Sequence, residues 1–185
     1  MKQKLRRACL CAGLATAIAT LAAPVVAATP AAPRPASAPP CSVAEYRQLD
    51  FWIGDWDTFE SSEPDGDVIA RARVESVAEG CAVRERYEQG DGLIGESLLS
   101  YDAVRKQWQQ TWITNRGANM VLWGNLKDGV LVLEGEAHLQ DGTTVLQRIR
   151  WQPQGAGVRE WAESSRDGGK TWSPAFDVLF LKRRQ

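Results

Sequence analysis

From residue 68 onward, apolar and polar residues alternate with a period of two, and turn residues interrupt the alternation every ten to fifteen positions. Pro64-Asp65-Gly66, Gly80, Gly90-Asp91-Gly92, Tyr101 to Lys106, Asn115-Arg116-Gly117, Lys127-Asp128-Gly129, Asp141-Gly142, Gly155-Ala156-Gly157 and Asp167-Gly168-Gly169 mark nine turns and hence about ten strands. Short strands joined by tight turns, with no helical pattern between them, predict an all-β sandwich or barrel. A chain of hairpins favours up-and-down order, and closure removes the two exposed edges. The expected fold is one antiparallel β-barrel opened by Leu49 to Phe59, with Trp52 and Trp56 pointing inward.

Alternation also assigns faces. In the second predicted strand Val68, Ala70, Ala72 and Val74 face in. In the third, Cys81, Val83, Glu85 and Tyr87 do; in the fourth, Ser97, Leu99 and Tyr101; in the fifth, Trp108, Gln110 and Trp112. Leu131, Leu133, Gly135, Ala137 and Leu139 are inward on the seventh, and Val145, Ile149 and Trp151 on the eighth. These last two faces agree only if their loop has an odd count. A three-residue loop, Gln140-Asp141-Gly142 with Gly142 left-handed, pairs Leu133 with Ile149 and Glu134 with Arg148.

The chain before this domain has a different character. Lys2, Lys4, Arg6 and Arg7 precede an apolar run from Ala8 to Leu21, too short for a comfortable membrane span, and Val26-Ala27-Ala28 offers a small-residue cleavage pattern. Residues 1–28 are therefore expected to be a signal peptide. Cys9 and Cys11 lie inside the apolar run, without the residues that precede a lipid-bearing cysteine. The Pro/Ala-rich stretch 29–40 reads as a disordered tether, leaving residues 41–185 as one domain. Ser42, three residues before Glu45, has capping-box spacing and predicts a short helical turn.

The whole chain carries 22 Lys+Arg against 23 Asp+Glu. Without the four basic residues of the leader the balance is mildly acidic, which argues against a nucleic-acid partner. Cys41 and Cys81 survive cleavage, and in an oxidising compartment they read as a disulfide closing a loop of about 40 residues. The expected location is periplasmic or extracellular, with no membrane attachment after cleavage.

Gly54-Asp55-Trp56 on a first strand, after a short helical segment, resembles the Gly-x-Trp signature of the calycin superfamily, the lipocalins, fatty-acid-binding proteins and related barrels. In that superfamily the Trp plugs one barrel end and a basic residue of the last strand covers it; Lys182, Arg183 or Arg184 would take that part here. A wider set occurs in order: Phe51-Trp52-Ile53-Gly54-Asp55-Trp56, Gly80-Cys81, Tyr101-Asp102 with Trp108-x-Gln110-x-Trp112, and Ser165-x-Asp167-x-Gly169-x-Thr171-Trp172. Together these resemble a family of small secreted bacterial proteins of unknown function, sometimes placed near calycins. The resemblance spans nearly all of the domain. It implies the barrel and export, and no activity.

Candidate chemistry is sparse. Ser165 to Trp172 matches the Asp-box hairpin, in which the Asp accepts backbone N–H groups across a Gly-rich turn above the Trp. One copy points to a structural hairpin rather than to a propeller. His138, the single histidine, falls outside with Glu134 and Glu136, so it cannot act as an inward haem ligand or serve Ser-His or Cys-His chemistry. Two cysteines and one histidine show no metal-ligand spacing, and no cofactor is expected.

What remains is an inward set of aromatic and polar residues. Trp56, Trp108, Trp112 and Trp151 would give contact surface, while Glu85, Tyr87, Ser97 and Gln110 would orient a polar group. An ionised Glu85 in a dry core costs several kcal/mol, so it needs water, a partner or a raised pKa. The expectation is a non-catalytic binder of a small, partly apolar ligand. Two alternatives stand beside it. One is a carboxylate-dependent hydrolase acting on an envelope ester or glycan, which needs a second carboxylate near Glu85; Asp57 and Glu96 are the candidates. The other is an interaction module whose core is solid.

Overall fold

The computed structural model describes residues 38–183. The expected signal peptide and all but the last three residues of the expected tether lie outside the described residues, as does Arg184. Ten strands follow one another: β1 (Gly54–Glu60), β2 (Ala70–Val77), β3 (Ala82–Gln89), β4 (Ile94–Asp102), β5 (Gln107–Thr114), β6 (Asn119–Lys127), β7 (Val130–His138), β8 (Thr144–Gln154), β9 (Gly157–Ser165) and β10 (Ser173–Lys182). Each pairs antiparallel with its chain neighbours, and β1 pairs with β10 to close the barrel, Trp56 opposite Lys182 and Glu60 opposite Val178. The up-and-down order follows from turns too short for a crossover.

The β7–β8 connection has the three-residue form. Leu139 N–H bonds to Thr143 O, Gly142 N–H bonds to Leu139 O, and Gly142 has φ +82°. Leu133 then pairs with Ile149 and Glu134 with Arg148. Loops 90–92 and 115–117 repeat the geometry. All three sit at one end of the barrel, because odd strands run toward that end and even strands run away from it.

The opening stretch departs from expectation. β1 starts only at Gly54, and Asp50–Trp52 forms a 3-10 turn with Trp52 N–H bonded to Leu49 O at 3.0 Å. A 3-10 turn brings residues three apart to one side, so Leu49 and Trp52 are buried together beneath the barrel. A strand would have split them between two faces. The preceding turn, Ala44–Arg47, begins after Val43 and has no side-chain cap, so Ser42 makes no capping box. Its position is set instead by the Cys41–Cys81 disulfide and by Arg47, which donates to Gly80 O.

Two apolar residues expected inside are exposed. Val68 precedes β2, where Ile69 N–H bonds to Thr58 O beside the Thr58–Ala70 pair. The doubled residue breaks the alternation and turns Ile69 inward. Leu139 lies just past β7, at the mouth of its turn. Cys81 likewise lies in the turn before β3 rather than on its inner face.

The end beneath the helical turns is packed solid by Leu49, Trp52, Trp56, Trp108, Trp151 and Phe180. Trp52 lies 5.9 Å from Trp151 and 6.0 Å from Phe180, centroid to centroid. Trp56 donates its indole N–H to Trp52 O, and Trp108 donates to Gln48 Oε1, each at 2.9 Å. Lys182, one of the three basic residues expected to cover Trp56, sits 3.9 Å from its ring centroid and bonds to Ile53 O at 2.8 Å. The lysine crosses over Gly54, where any Cβ would stand 2.1 Å from its Nζ. The φ of +150° at Gly54 is the stronger reason for glycine at this position, since the lysine tip could move. The outer wall carries charge ladders such as Arg84–Glu75, Arg86–Glu96 and Arg150–Glu163.

Candidate functional site

The opposite half of the barrel is hollow. A cavity of about 450 Å³ opens at the hairpin end, within the range of small-molecule sites. Ile69, Leu93, Trp112, Met120, Ile149, Phe176 and Val178 wall it, and Glu60, Glu85, Tyr87, Gln89, Gln147 and Glu160 supply its polar groups. The packed end forms the floor.

Of the eight residues expected to meet a ligand, Glu85, Tyr87 and Trp112 line this cavity. Ser97 stands behind Glu85, donating its hydroxyl to Oε2 at 3.1 Å. Trp56, Trp108 and Trp151 belong to the packed end. Gln110 is buried away from the cavity, and its Oε1 has no partner among the described residues. These five were placed correctly as inward and wrongly as a lining, because alternation gives the face of a strand but not the height along the barrel.

Trp112 is held by an absent side chain. Gly95 pairs with Tyr87 on one side and Thr114 on the other, and its missing Cβ would stand 2.0 Å from Trp112 Cη2. The indole lies across this bare backbone and meets Tyr87 edge-on at 6.2 Å. Together they form an aromatic corner of the wall.

Glu160, which the sequence reading did not single out, supplies a second interior carboxylate. It lies on β9 opposite Trp151 on β8 and Val178 on β10. The signal was available: Val158, Glu160 and Ala162 share a parity, with Val158 and Ala162 buried. The residue that obscures it is Trp161, a large aromatic that lies outside, beneath Arg150 and Arg159.

The two carboxyls act on one another. Burial raises Glu85 to about 7; its bond from Ser97 opposes the shift, and the Glu96 charge adds to it. Burial also pushes Glu160 well above the ordinary range, and the charge of Glu85 pushes it further. The Trp151 indole N–H favours the ionised Glu160, but falls short of hydrogen-bond geometry. Glu160 is half-buried and lines the cavity. The charge of either carboxylate disfavours ionisation of the other, so the protons come off in two steps that belong to the pair.

Among the described residues, no ion pair reaches either glutamate. Of the expected partners of Glu85, Asp57 lies outside with Arg183 and Arg71, and Glu96 lies outside with Arg86. The Tyr87 hydroxyl is raised too, first by burial and then by Glu160, Glu85, Glu60 and Asp91. His138 is exposed, with Nδ1 2.9 Å from Thr144 Oγ1. No cluster of three or more metal-ligating side chains occurs among the described residues.

The Asp box closes the β9–β10 hairpin at the open end. Asp167 Oδ1 accepts the N–H groups of Lys170 and Thr171 at 3.0 and 2.9 Å, and Oδ2 accepts the Thr171 hydroxyl at 2.6 Å. These bonds hold the carboxyl down to about 2. Arg148 stacks 3.8 Å over Trp172 beneath the turn. Every polar atom of this hairpin that makes it distinctive is used internally. In comparisons with known proteins, no protein-family model matches the chain and no curated protein matches it in sequence.

Proposed function

We propose that the protein is a non-catalytic binder that takes a small, partly apolar molecule into the open half of its barrel. The observation that carries this reading is a mostly apolar cavity of about 450 Å³ with the buried carboxyl of Glu85 among its polar groups. Solid packing is confined to the other half, which weighs against a role for the exterior alone. Kinship with the calycins belongs to the same proposal, supported by barrel closure and by Lys182 over Trp56. So does export to the periplasm or beyond: the basic and apolar leader supports it, and the Cys41–Cys81 bridge is compatible with an oxidising compartment.

Indole emission tests it. Trp112 is the tryptophan on the cavity wall, so titration with an apolar fluorescence quencher should give a saturable change that Trp112→Phe removes. A saturable change that survives Trp112→Phe but is lost on changing an exterior tryptophan would place binding elsewhere and end the proposal.

One observation favours a second reading. Two carboxyls with raised pKa values line one cavity, and such a pair could supply an acid and a base, the minimum for ester or glycoside hydrolysis. If that reading holds, chromogenic ester or glycoside substrates will turn over with a bell-shaped pH profile, and Glu85→Gln and Glu160→Gln will each abolish turnover. Turnover that persists in both variants removes it.

A further inference from the structure

We infer that the cavity is built for a cation: a small amine on an apolar or aromatic body, its ammonium seated between Glu85 and Glu160. This rests on the binding reading above and names the ligand class for that site.

The argument begins with the sign of the lining. Glu60, Glu85 and Glu160 reach the cavity, and no Lys, Arg or His lines it. The arginines that could neutralise them point to the outer wall, committed to Glu75, Glu96 and Glu163. Glu85 is 3% exposed, and its one hydrogen-bond partner, Ser97, engages a single oxygen. The other oxygen has no donor among the described residues. Glu160 has no hydrogen bond of acceptable geometry among the described residues. A buried carboxylate accepts bonds and donates none, so the site calls for donors.

Three ligand classes compete for that demand. An anion would bring a like charge into a site already holding two carboxyls. A neutral alcohol supplies one donor and leaves the charge uncompensated. An ammonium supplies three donors and the opposite charge, and charge-assisted bonds are about twice as strong as neutral ones. The wall suits the rest of such a ligand. Trp112 and Tyr87 present aromatic surface near the carboxyls, which favours cations as well as apolar groups, while Met120 and Ile69 lie toward the mouth. The enclosed volume fits a free small molecule rather than a protein segment.

The ammonium takes the place of a proton. Where the carboxyls are protonated, seating the ammonium expels one of their protons to solvent while the ammonium keeps its own, so charge balances. Below neutrality, therefore, binding is accompanied by proton release.

The test is calorimetry on the full chain with octylamine, 1-octanol and octanoate, isosteres that differ in head group alone. Octylamine is expected to bind at least tenfold more tightly than octanol, and octanoate most weakly. At pH 6 the octylamine enthalpy should differ between buffers of different ionisation heat, with the sign of proton release. Glu160→Gln should cut the preference for octylamine over octanol at least tenfold. Because Glu160 keeps exposure to the cavity, this neutral isostere is the variant least disturbing to the fold. Octanol or octanoate binding as tightly as octylamine overturns the amine assignment and leaves the binding reading standing. No binding of any of the three, with the barrel folded, overturns both.

Discussion

A residue's absence of side chain does most at Gly95. Its missing Cβ would lie 2.0 Å from Trp112 Cη2 and 2.3 Å from Cζ2, with ring atoms on a rigid indole rather than the end of a flexible chain. Gly95→Ala therefore forces the ring toward the cavity, an overpacking change that typically costs about 1–3 kcal/mol. Two measurements check this together: the thermal midpoint falls, and Trp112 emission shifts as the ring moves toward solvent. A midpoint unchanged within error would mean the indole does not rest on that backbone. Gly54 differs at the other end: the atom in the way is the tip of the flexible Lys182, and the firmer demand for glycine is its φ of +150°. Neither role is legible in the sequence, since one depends on a partner from another strand and the other on a backbone angle. Glu160 is a different case, because its parity with Val158 and Ala162 was there to read. The outward Trp161 beside it misdirects any reading that sends every tryptophan inside.

Among the elements, the hairpins were legible and the opening strap was not. Period-two alternation and Asp-Gly punctuation are local, so strand number and the β7–β8 register could be derived before any coordinates. Height within the barrel is a different matter. It depends on strand direction: early positions of odd strands and late positions of even strands share one end. Trp56, Trp108 and Trp151 meet at the packed end by that rule, and Trp112, late in β5, does not. Leu49 to Ile53 was misread because a short apolar run fits a strand or a tight turn equally well, and only the joint burial of Leu49 and Trp52 decides it. The strap that carries them is tied to the β2–β3 turn by Cys41–Cys81, 40 residues apart. Replacing both cysteines with serine should cost roughly 3–4 kcal/mol in the loop-entropy account. Urea melts check it: the midpoint of the double variant, and of the reduced protein, should fall together. Equal midpoints for oxidised and reduced protein would mean that the strap docks without the bridge.

At the scale of the molecule the barrel is divided, one half packed and stabilising, the other hollow and lined by carboxyls with no basic residue among them. That division has a pH signature. Glu85 rises from 4.5 to about 7 on folding, so between those values the native state holds a proton that the unfolded chain has released. Stability accordingly falls as pH rises through this window, and the penalty is complete above it. For a shift of this size the loss is on the order of 3 kcal/mol, and Glu160, also raised, extends the decline to higher pH. Surface carboxyls act in the opposite sense. Asp167, held down to about 2, and the depressed Asp91, Asp102, Asp141 and Asp177 favour the folded state above the ordinary carboxylate range and lose that contribution as pH falls through their own values. The two trends cross near pH 5, where the thermal midpoint should be greatest. Glu85→Gln, which keeps the shape and can still accept from Ser97, should be less stable than expected from burial alone at no pH, and more stable than the parent at pH 8. A parent midpoint at pH 8 equal to that at pH 5, or a variant with the parent's slope, would mean that the interior carboxyl is already neutralised. An added amine should do in the parent at pH 8 what the substitution does covalently, because both remove the same uncompensated charge.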